Sequence, residues 1–438
     1  AVDPKQSFSA MEQGILDYWR FEDTFRRSMQ QREGAKGYSF YDGPPFATGL
    51  PHYGHLLAGT IKDVIPRYRT MRGDYVSRRF GWDCHGLPVE YEIEKEHNIK
   101  NRRDIEEMGT KAFNDLCRGI VQRYTGEWRK TVERTGRWVD MDHDYRTMDP
   151  DYMESIWWVF HSLHEKGLIY EDYKPMHICP RCVTPLSNFE VTQGYKDVTD
   201  KSATAMFELV DEPGTYVLAW TTTPWTLPGN LFLAIGETFK YVRVHFEKST
   251  YIIANDRVQE VFNGKEHEIV GKPFTGKSLI GKKYRPLFPY FVSKYEKTGF
   301  KIVAGDFVST EDGTGIVHIA PGFGEDDFKV GKEQNVPLLQ HVTMDGKFID
   351  AVTDFAGMEV KPADKPTSMD EKIAQWLDKH NLLFASQSFK HSYPHCWRCE
   401  SPLLNYATSS WFVKVTEIKE KALKLAKDIN WSPEHIKE

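Results

Sequence analysis

The chain has 438 residues, a charged fraction of 27%, an aromatic fraction of 13% and a formal net charge of −6. This composition excludes a disordered chain and predicts roughly two to four folded domains. It argues against broad electrostatic attachment to nucleic acid, leaving room for a local basic patch, and no run approaches the roughly 18 apolar residues a membrane-spanning helix needs.

The amino-terminal AVDPKQSFSAMEQG has no basic-then-apolar layout, so no secretion signal is expected and a cytoplasmic location is. Residues 7–34 carry Phe8, Met11, Ile15, Tyr18, Trp19 and Phe25 at helical spacing. A short apolar strand, YSFY (38–41), is ended by DGPP. From Leu56 the pattern is helical again: Leu57, Ile61, Val64, Tyr68 and Met71 alternate steps of four and three, with Gly73 as a stop and Pro66 as an expected kink. A second strand, YVSRRF (75–80), follows. Strand, turn, helix, strand opens an α/β nucleotide-binding fold.

Residues 103–168 read as mostly helical. From 176 to about 390 the chain is rich in β-formers, glycine and proline, with strands expected at 215–220, 241–246, 251–254 and 315–320 and a charged helix at 368–380. Helix is expected again over 413–429. A β-rich block is therefore inserted into an α/β protein.

Four of the six cysteines form C-x-x-C pairs at the edges of that block, Cys179/Cys182 and Cys396/Cys399, while Cys84 and Cys117 stand alone. Two tight turns that each aim two thiolates suit one tetrahedral Zn²⁺, with His177 and His395 as alternate ligands. In PFATGLPHYGHLLAGTIKD (45–63), His52 and His55 flank Gly54 at a helix start, where free N–H groups favour phosphate. The competing reading makes both histidines simple caps. In FGWDCHGLPVE (80–90), Asp83 ends a strand and either meets a ligand in the sheet's crevice or caps the next helix.

YDGPPFATGLPHYGH (41–55) with GWDCHGLPVE (81–90) resembles the class I aminoacyl-tRNA synthetases for branched aliphatic amino acids, most closely the isoleucine members of the eukaryotic-type branch. Valine members usually carry a threonine–aspartate–histidine run at GWDCHG, and leucine members usually lack the cysteine and histidine after GWD. The resemblance runs from about residue 7 to the end. It implies the first half of a Rossmann-type α/β core with an inserted β-rich editing domain on a zinc-ribbon stem. The implied segments are 1–175 (helices and first half of the core), 176–194 (first zinc knuckle), 195–388 (editing domain), 389–406 (second knuckle) and 407–438 (a truncated return to the core).

The resemblance further implies that His52, Gly54 and His55 contact ATP, used with Mg²⁺, and that Pro45, Gly81 and Asp83 line the amino-acid pocket. WTTTPWTLPGN (220–230) and GTGIVHIAPGFGEDD (313–327) match the family's editing signatures. There Thr221, Thr222, Thr223 and Asn230 would order a water and hold the ribose, His318 would shape the pocket, and Asp327 would pair with the aminoacyl ammonium. From the residues alone, TTT reads as ordinary strand and GFGEDD as a solvated turn. The implied reaction is activation of isoleucine and its transfer to tRNA(Ile), with hydrolysis of Val-tRNA(Ile), by a monomer without membrane contact. A lysine-rich KMSKS-type loop is not found, so editing is the activity expected to be intact. A non-catalytic, zinc-stabilised tRNA-binding or structural fragment and a valyl relative are the alternatives.

GKPFTGKS (271–278) fits the phosphate-loop pattern G-x-x-x-x-G-K-[ST] letter for letter. A phosphate loop needs a strand before it and a helix after it, whereas here Pro273 lies inside and Gly281, Pro286 and Pro289 follow. The match is read as chance, and Lys277, Lys282, Lys283 and Arg285 as a solvated loop or a contact for tRNA backbone.

Overall fold

A computed structural model describes residues 5, 7–99 and 102–437. They form two compact units, one of Ala1–Ile169 with Val413–Glu438 and one of Tyr170–Phe412.

In the first unit the expected helix over 7–34 is two, Phe8–Phe21 and Thr24–Gln30. They separate at Asp23, whose φ of 47° is left-handed and cannot continue a helix. YSFY does not form a strand. Its segment lies beside residues 75–83 through two isolated parallel bridges, Gly37 with Tyr75 and Phe46 with Asp83. Between those bridges it has one residue more than its neighbour, which breaks register, and Pro44 and Pro45 supply no N–H. The strand expected at 75–80 forms at Arg79–Trp82 and pairs in parallel with Asp140–Arg146, a strand inside the stretch read as helical.

The helix Tyr53–Met71 continues through Pro66 and ends before Gly73, at φ +104°. The Pro66 carbonyl accepts from the Thr70 hydroxyl at 2.9 Å and from Arg78 at 3.0 Å. Further helices, Leu87–Glu96, Thr110–Ile120 and Thr125–Arg134, bury Val89, Ile93, Phe113, Ile120 and Trp128 against Phe80 and Trp82.

The second unit is built on a nine-stranded mixed sheet. The expected strands appear at Thr215–Thr221, Lys240–Phe246, Ser249–Ala254 and Ile316–Ile319, and the charged helix at Ser368–Lys379. Two long strands were not anticipated: Tyr195–Glu208 and Leu383–Pro394 pair antiparallel from Leu383 to Pro394. Their outer halves, YKDVTDKS and QSFKHSY, are too polar to stand out. GKPFTGKS is mostly strand: Gly271 to Thr275 belong to Glu268–Thr275 at the sheet's edge, and Gly276–Ser278 is a single 3-10 turn. No backbone cradle forms, and the exposed Lys277 ammonium faces Glu237 at 4.0 Å.

Candidate functional site

In the first unit Asp42 anchors the DGPP loop. Its carboxylate pairs with Lys62 of the helix Tyr53–Met71 and with Arg137, and Lys62 also donates to the Gly43 carbonyl at 3.1 Å. His52 is the helix N-cap: its Nδ1 accepts from the Gly54 N–H at 3.1 Å, and His55 Nδ1 accepts from the His52 N–H at 3.2 Å. The two rings stack at 3.7 Å, and His55 also leans on Trp128 at 4.7 Å. A Cβ on Gly54 would come within 3.0 Å of the His52 ring, so a side chain here would crowd the stack. Because each Nδ1 is an acceptor, a neutral ring carries its proton on Nε2. Burial, then the charges of His52 and Lys62, lower the pKa of His55 and favour that neutral form. Capping and anion contact are therefore compatible: the cap fixes the rings and leaves an Nε2–H on each for a ligand at the helix start.

Asp83 does not cap the following helix. Leu87–Glu96 begins after Gly86, at φ 102°, without a side-chain cap. Instead the Asp83 N–H donates to the Pro45 carbonyl at 2.9 Å, and its carboxylate accepts from the Thr147 hydroxyl at 3.4 Å. Gly81 lies under Tyr145, where a Cβ would sit 2.2 Å from the ring. Pro45, Gly81 and Asp83 thus gather at the carboxyl end of Arg79–Trp82. A neighbouring groove of about 830 Å³ runs along residues 37–42, Tyr145 and Tyr152 and does not include Pro45 or Asp83.

In the second unit TTT leaves the sheet as Thr215–Thr221 ends and enters the 3-10 turn Pro224–Gly229. The Thr221 hydroxyl accepts from the Thr223 N–H at 3.0 Å, while Thr222 is half-buried. His318 and Asn230 face inward. Tyr284 donates to Asn230 Oδ1 at 2.7 Å, Asn230 Nδ2 donates to His318 Nδ1 at 3.2 Å, and His318 Nε2 donates to Thr226 Oγ1 at 2.7 Å. The Thr226 hydroxyl then donates to the Thr223 carbonyl at 2.8 Å. Burial, with a smaller contribution from His341, holds the His318 pKa down at about 3, so the ring is a neutral relay. The expectation that Asn230 holds a ribose is therefore corrected. Both ends of its amide are engaged inside the core, the second Nδ2 bond going to the Phe232 carbonyl at 2.9 Å.

GFGEDD is not a solvated turn throughout. Glu325 and Asp326 are exposed in the first turn of Glu325–Glu333, but Asp327 is half-buried and accepts the Ala320 N–H at 2.6 Å. Burial pushes its pKa up to about 7. A Cβ on Gly324 would sit 2.1 Å from this carboxylate, so glycine admits the inward turn.

The cysteine pairs meet. All four Sγ atoms lie within 4.8 Å of one another. A regular ZnS₄ tetrahedron with Zn–S near 2.3 Å places its sulfurs about 3.8 Å apart, which this group fits. The knuckles repeat one geometry: the Val183 N–H bonds the Cys179 carbonyl and the Glu400 N–H bonds the Cys396 carbonyl, each at 2.8 Å, with Val183 and Glu400 both left-handed. Gly194 lets the chain pass the second knuckle, since a Cβ there would strike the His395 carbonyl at 1.8 Å. His177 and His395 are not in the cluster; His395 Nδ1 donates to the Tyr393 carbonyl at 3.0 Å. The group can hold a metal ion.

Residues 14–438 match the family of class I tRNA synthetases (I, L, M and V). The chain belongs to that family. Proteins named isoleucine–tRNA ligase from Bdellovibrio bacteriovorus, Treponema denticola and Chlamydia trachomatis are 50%, 48% and 49% identical over 100% of this chain. The chain spans 41–42% of the length of these curated relatives. A solved structure described as GlLeuRS-CP1 matches 43% of this chain and 99% of its own at 14% identity and a TM-score of 0.33, too slight a likeness to bear on the fold. Among the described residues no helix is long and apolar enough to cross a membrane.

Thr226, the hub that joins His318 to the threonines, lies inside WTTTPWTLPGN without a sequence signal of its own. Tyr284 and the Asp42–Lys62–Arg137 cluster are likewise defined by partners distant in sequence. Only YDGPP signalled the last, since its partners are distant in sequence.

Proposed function

We propose that the chain is the amino-terminal part of an isoleucine–tRNA ligase and that its second unit hydrolyses tRNA(Ile) mischarged with valine. The observation that carries the isoleucine assignment is identity near 50% along the whole chain with ligases of that name. In this reading His52, Gly54 and His55 receive ATP phosphates at the helix start, while Pro45, Gly81 and Asp83 form the isoleucine pocket with Asp83 facing the α-amino group. The isoleucine carboxylate attacks the α-phosphate and pyrophosphate leaves; the terminal adenosine of tRNA then takes the acyl group and AMP leaves. Mg²⁺ would neutralise phosphate charge. The residues contribute by positioning and electrostatics rather than covalent catalysis.

One methylene in a hydrophobic pocket discriminates by only about 1–3 kcal/mol, for which isoleucine against valine is the standard case, so a second, hydrolytic site is required. Thr221, Thr222 and Thr223 are its polar wall. His318 acts through Thr226 to hold Thr223, and Asp327 receives the ammonium of the ester. Zn²⁺ held by Cys179, Cys182, Cys396 and Cys399 would contribute folding free energy at the base of the segment 195–388. The partners are tRNA(Ile), isoleucine and ATP, and the working form is a cytoplasmic monomer.

The test is single-turnover deacylation of Val-tRNA(Ile) with wild-type chain and with Asp327→Ala. A charge-assisted bond is about twice as strong as a neutral one, and its loss should slow hydrolysis about a hundredfold, roughly 3 kcal/mol. A fully active Asp327→Ala chain would remove that residue from the mechanism.

A further inference from the structure

The turn Pro224–Gly229 is held from outside by a buried ion cluster that the proposed mechanism does not use. Lys361 is 1% exposed at its side chain and pairs with Asp200 and Asp370, each at 3.0 Å. His391 lies 3.2 Å from Asp200, and Lys361 Nζ sits 5.4 Å from the Tyr393 ring centroid. Four separate segments supply these groups: the strand Tyr195–Glu208, the loop holding Lys361, the helix Ser368–Lys379 and the strand Leu383–Pro394. The other oxygen of Asp370 accepts the Trp225 N–H at 3.3 Å. On the opposite side of Trp225, its carbonyl accepts from His341 Nε2 at 3.1 Å.

The turn needs such support. Pro224 and Pro228 have no N–H, so few donors remain to close it internally. Trp225 offers its first N–H, and the next residue, Thr226, joins Thr223 to His318. Displacing Trp225 would therefore displace the threonines. Burying three charges is expensive and is seldom a net gain over apolar packing, which points to a placing role for the cluster rather than a stabilising one.

We propose that Asp370, held by Lys361 and Asp200, is the positioning residue of the threonine turn, so that the cluster sets the geometry of the hydrolytic wall. This rests on the hydrolytic reading above. Burial raises the Asp370 carboxyl pKa while Lys361 opposes that shift, and the two 3.0 Å contacts of Lys361 with Asp200 and Asp370 hold the carboxylate in place.

The experiment compares wild type, Asp370→Asn and the double variant Asp370→Leu/Lys361→Met by hydrogen exchange of the peptide 221–230 and by deacylation of Val-tRNA(Ile). Asp370→Asn keeps an acceptor for Trp225 and should stay within about threefold of wild type. The double variant removes two charges together and deletes the acceptor. Its 221–230 amides should exchange at least tenfold faster while the remaining second unit stays protected, and kcat should fall at least tenfold with KM nearly unchanged. Unchanged exchange in 221–230, or wild-type kcat, would overturn the proposal. Loss of protection across the whole second unit would overturn it too, because the cluster would then hold the unit rather than the turn. Wild-type chain without hydrolytic activity would instead sink the hydrolytic reading, with the exchange result still reporting on the turn.

Discussion

Phe207, Val217, Leu233, Tyr241, Ile302 and Leu377 of the second unit are almost wholly buried in one continuous core, whereas the first unit leaves comparable residues outside. The stripe that makes the helix Tyr53–Met71 legible, Leu57, Ile61, Val64, Tyr68 and Met71, is 53–70% exposed, and the helix Pro150–Glu165 has no buried residue at all. Periodicity thus reports a helix without reporting what the helix packs on. The difference also separates the two proposed sites. The threonine turn, His318 and Asp327 are positioned entirely by residues of the second unit. The histidines start the helix Tyr53–Met71, whose apolar stripe is open, and Asp83 follows one strand of a two-stranded ladder. The threonine site should therefore answer to single substitutions within the second unit.

The largest expected effect is at the cysteines, because structural zinc contributes about 10 kcal/mol or more to folding in small zinc domains. Metal analysis should find about one zinc per chain, Cys396→Ser should lose most of it, and exchange protection should fall first around both knuckles. Full zinc in Cys396→Ser would break the shared-site account. Next comes Thr226→Val, which keeps shape but leaves the buried His318 Nε2–H without an acceptor. An orphaned buried donor costs about 1–3 kcal/mol, so denaturant unfolding of the second unit should lose that much. A neutral result would mean the His318 relay does not hold the turn.

In the first unit, His55→Ala should weaken ATP binding about tenfold by calorimetry, or roughly 1.4 kcal/mol. Lys277→Ala should leave it unchanged, since Lys277 lies in the second unit beside an edge strand. A large loss from Lys277→Ala would overturn the reading of GKPFTGKS. A separate test is the pH dependence of Asp327. Folding raises its pKa from 3.8 to about 7, so in that interval the folded chain holds a proton the unfolded chain has lost. Its contribution therefore declines as pH rises from about 4 to about 7 and is level outside that range. Asp327→Asn should flatten this part of the stability profile, and an unchanged slope would contradict the raised carboxyl pKa.

Much of this was legible because the chemistry sits in dense local motifs. The cysteine spacing pointed to the four-thiol cluster, and H-Y-G-H after DGPP to the helix start with its two rings. Strands with continuous apolar runs, such as TYVLAW, were visible for the same reason. What was hidden depends on partners far away in sequence. Tyr195–Glu208 and Leu383–Pro394 read as polar because their pairing, not their composition, makes them strands. Asn230 and His318 carry functional-looking side chains but spend them on each other, on Thr226 and on Tyr284. No spacing rule announces that Asp370 reaches Trp225.

Whether the second unit is a selective hydrolase is tested most directly by the ratio of deacylation rates on Val-tRNA(Ile) and Ile-tRNA(Ile) with the chain as it stands. Both substrates are preformed, so the measurement does not depend on activation in the first unit. A site that admits valine and excludes one further methylene should favour Val-tRNA(Ile) by at least about tenfold. Equal rates on the two substrates, or no hydrolysis above the uncatalysed rate, would contradict it.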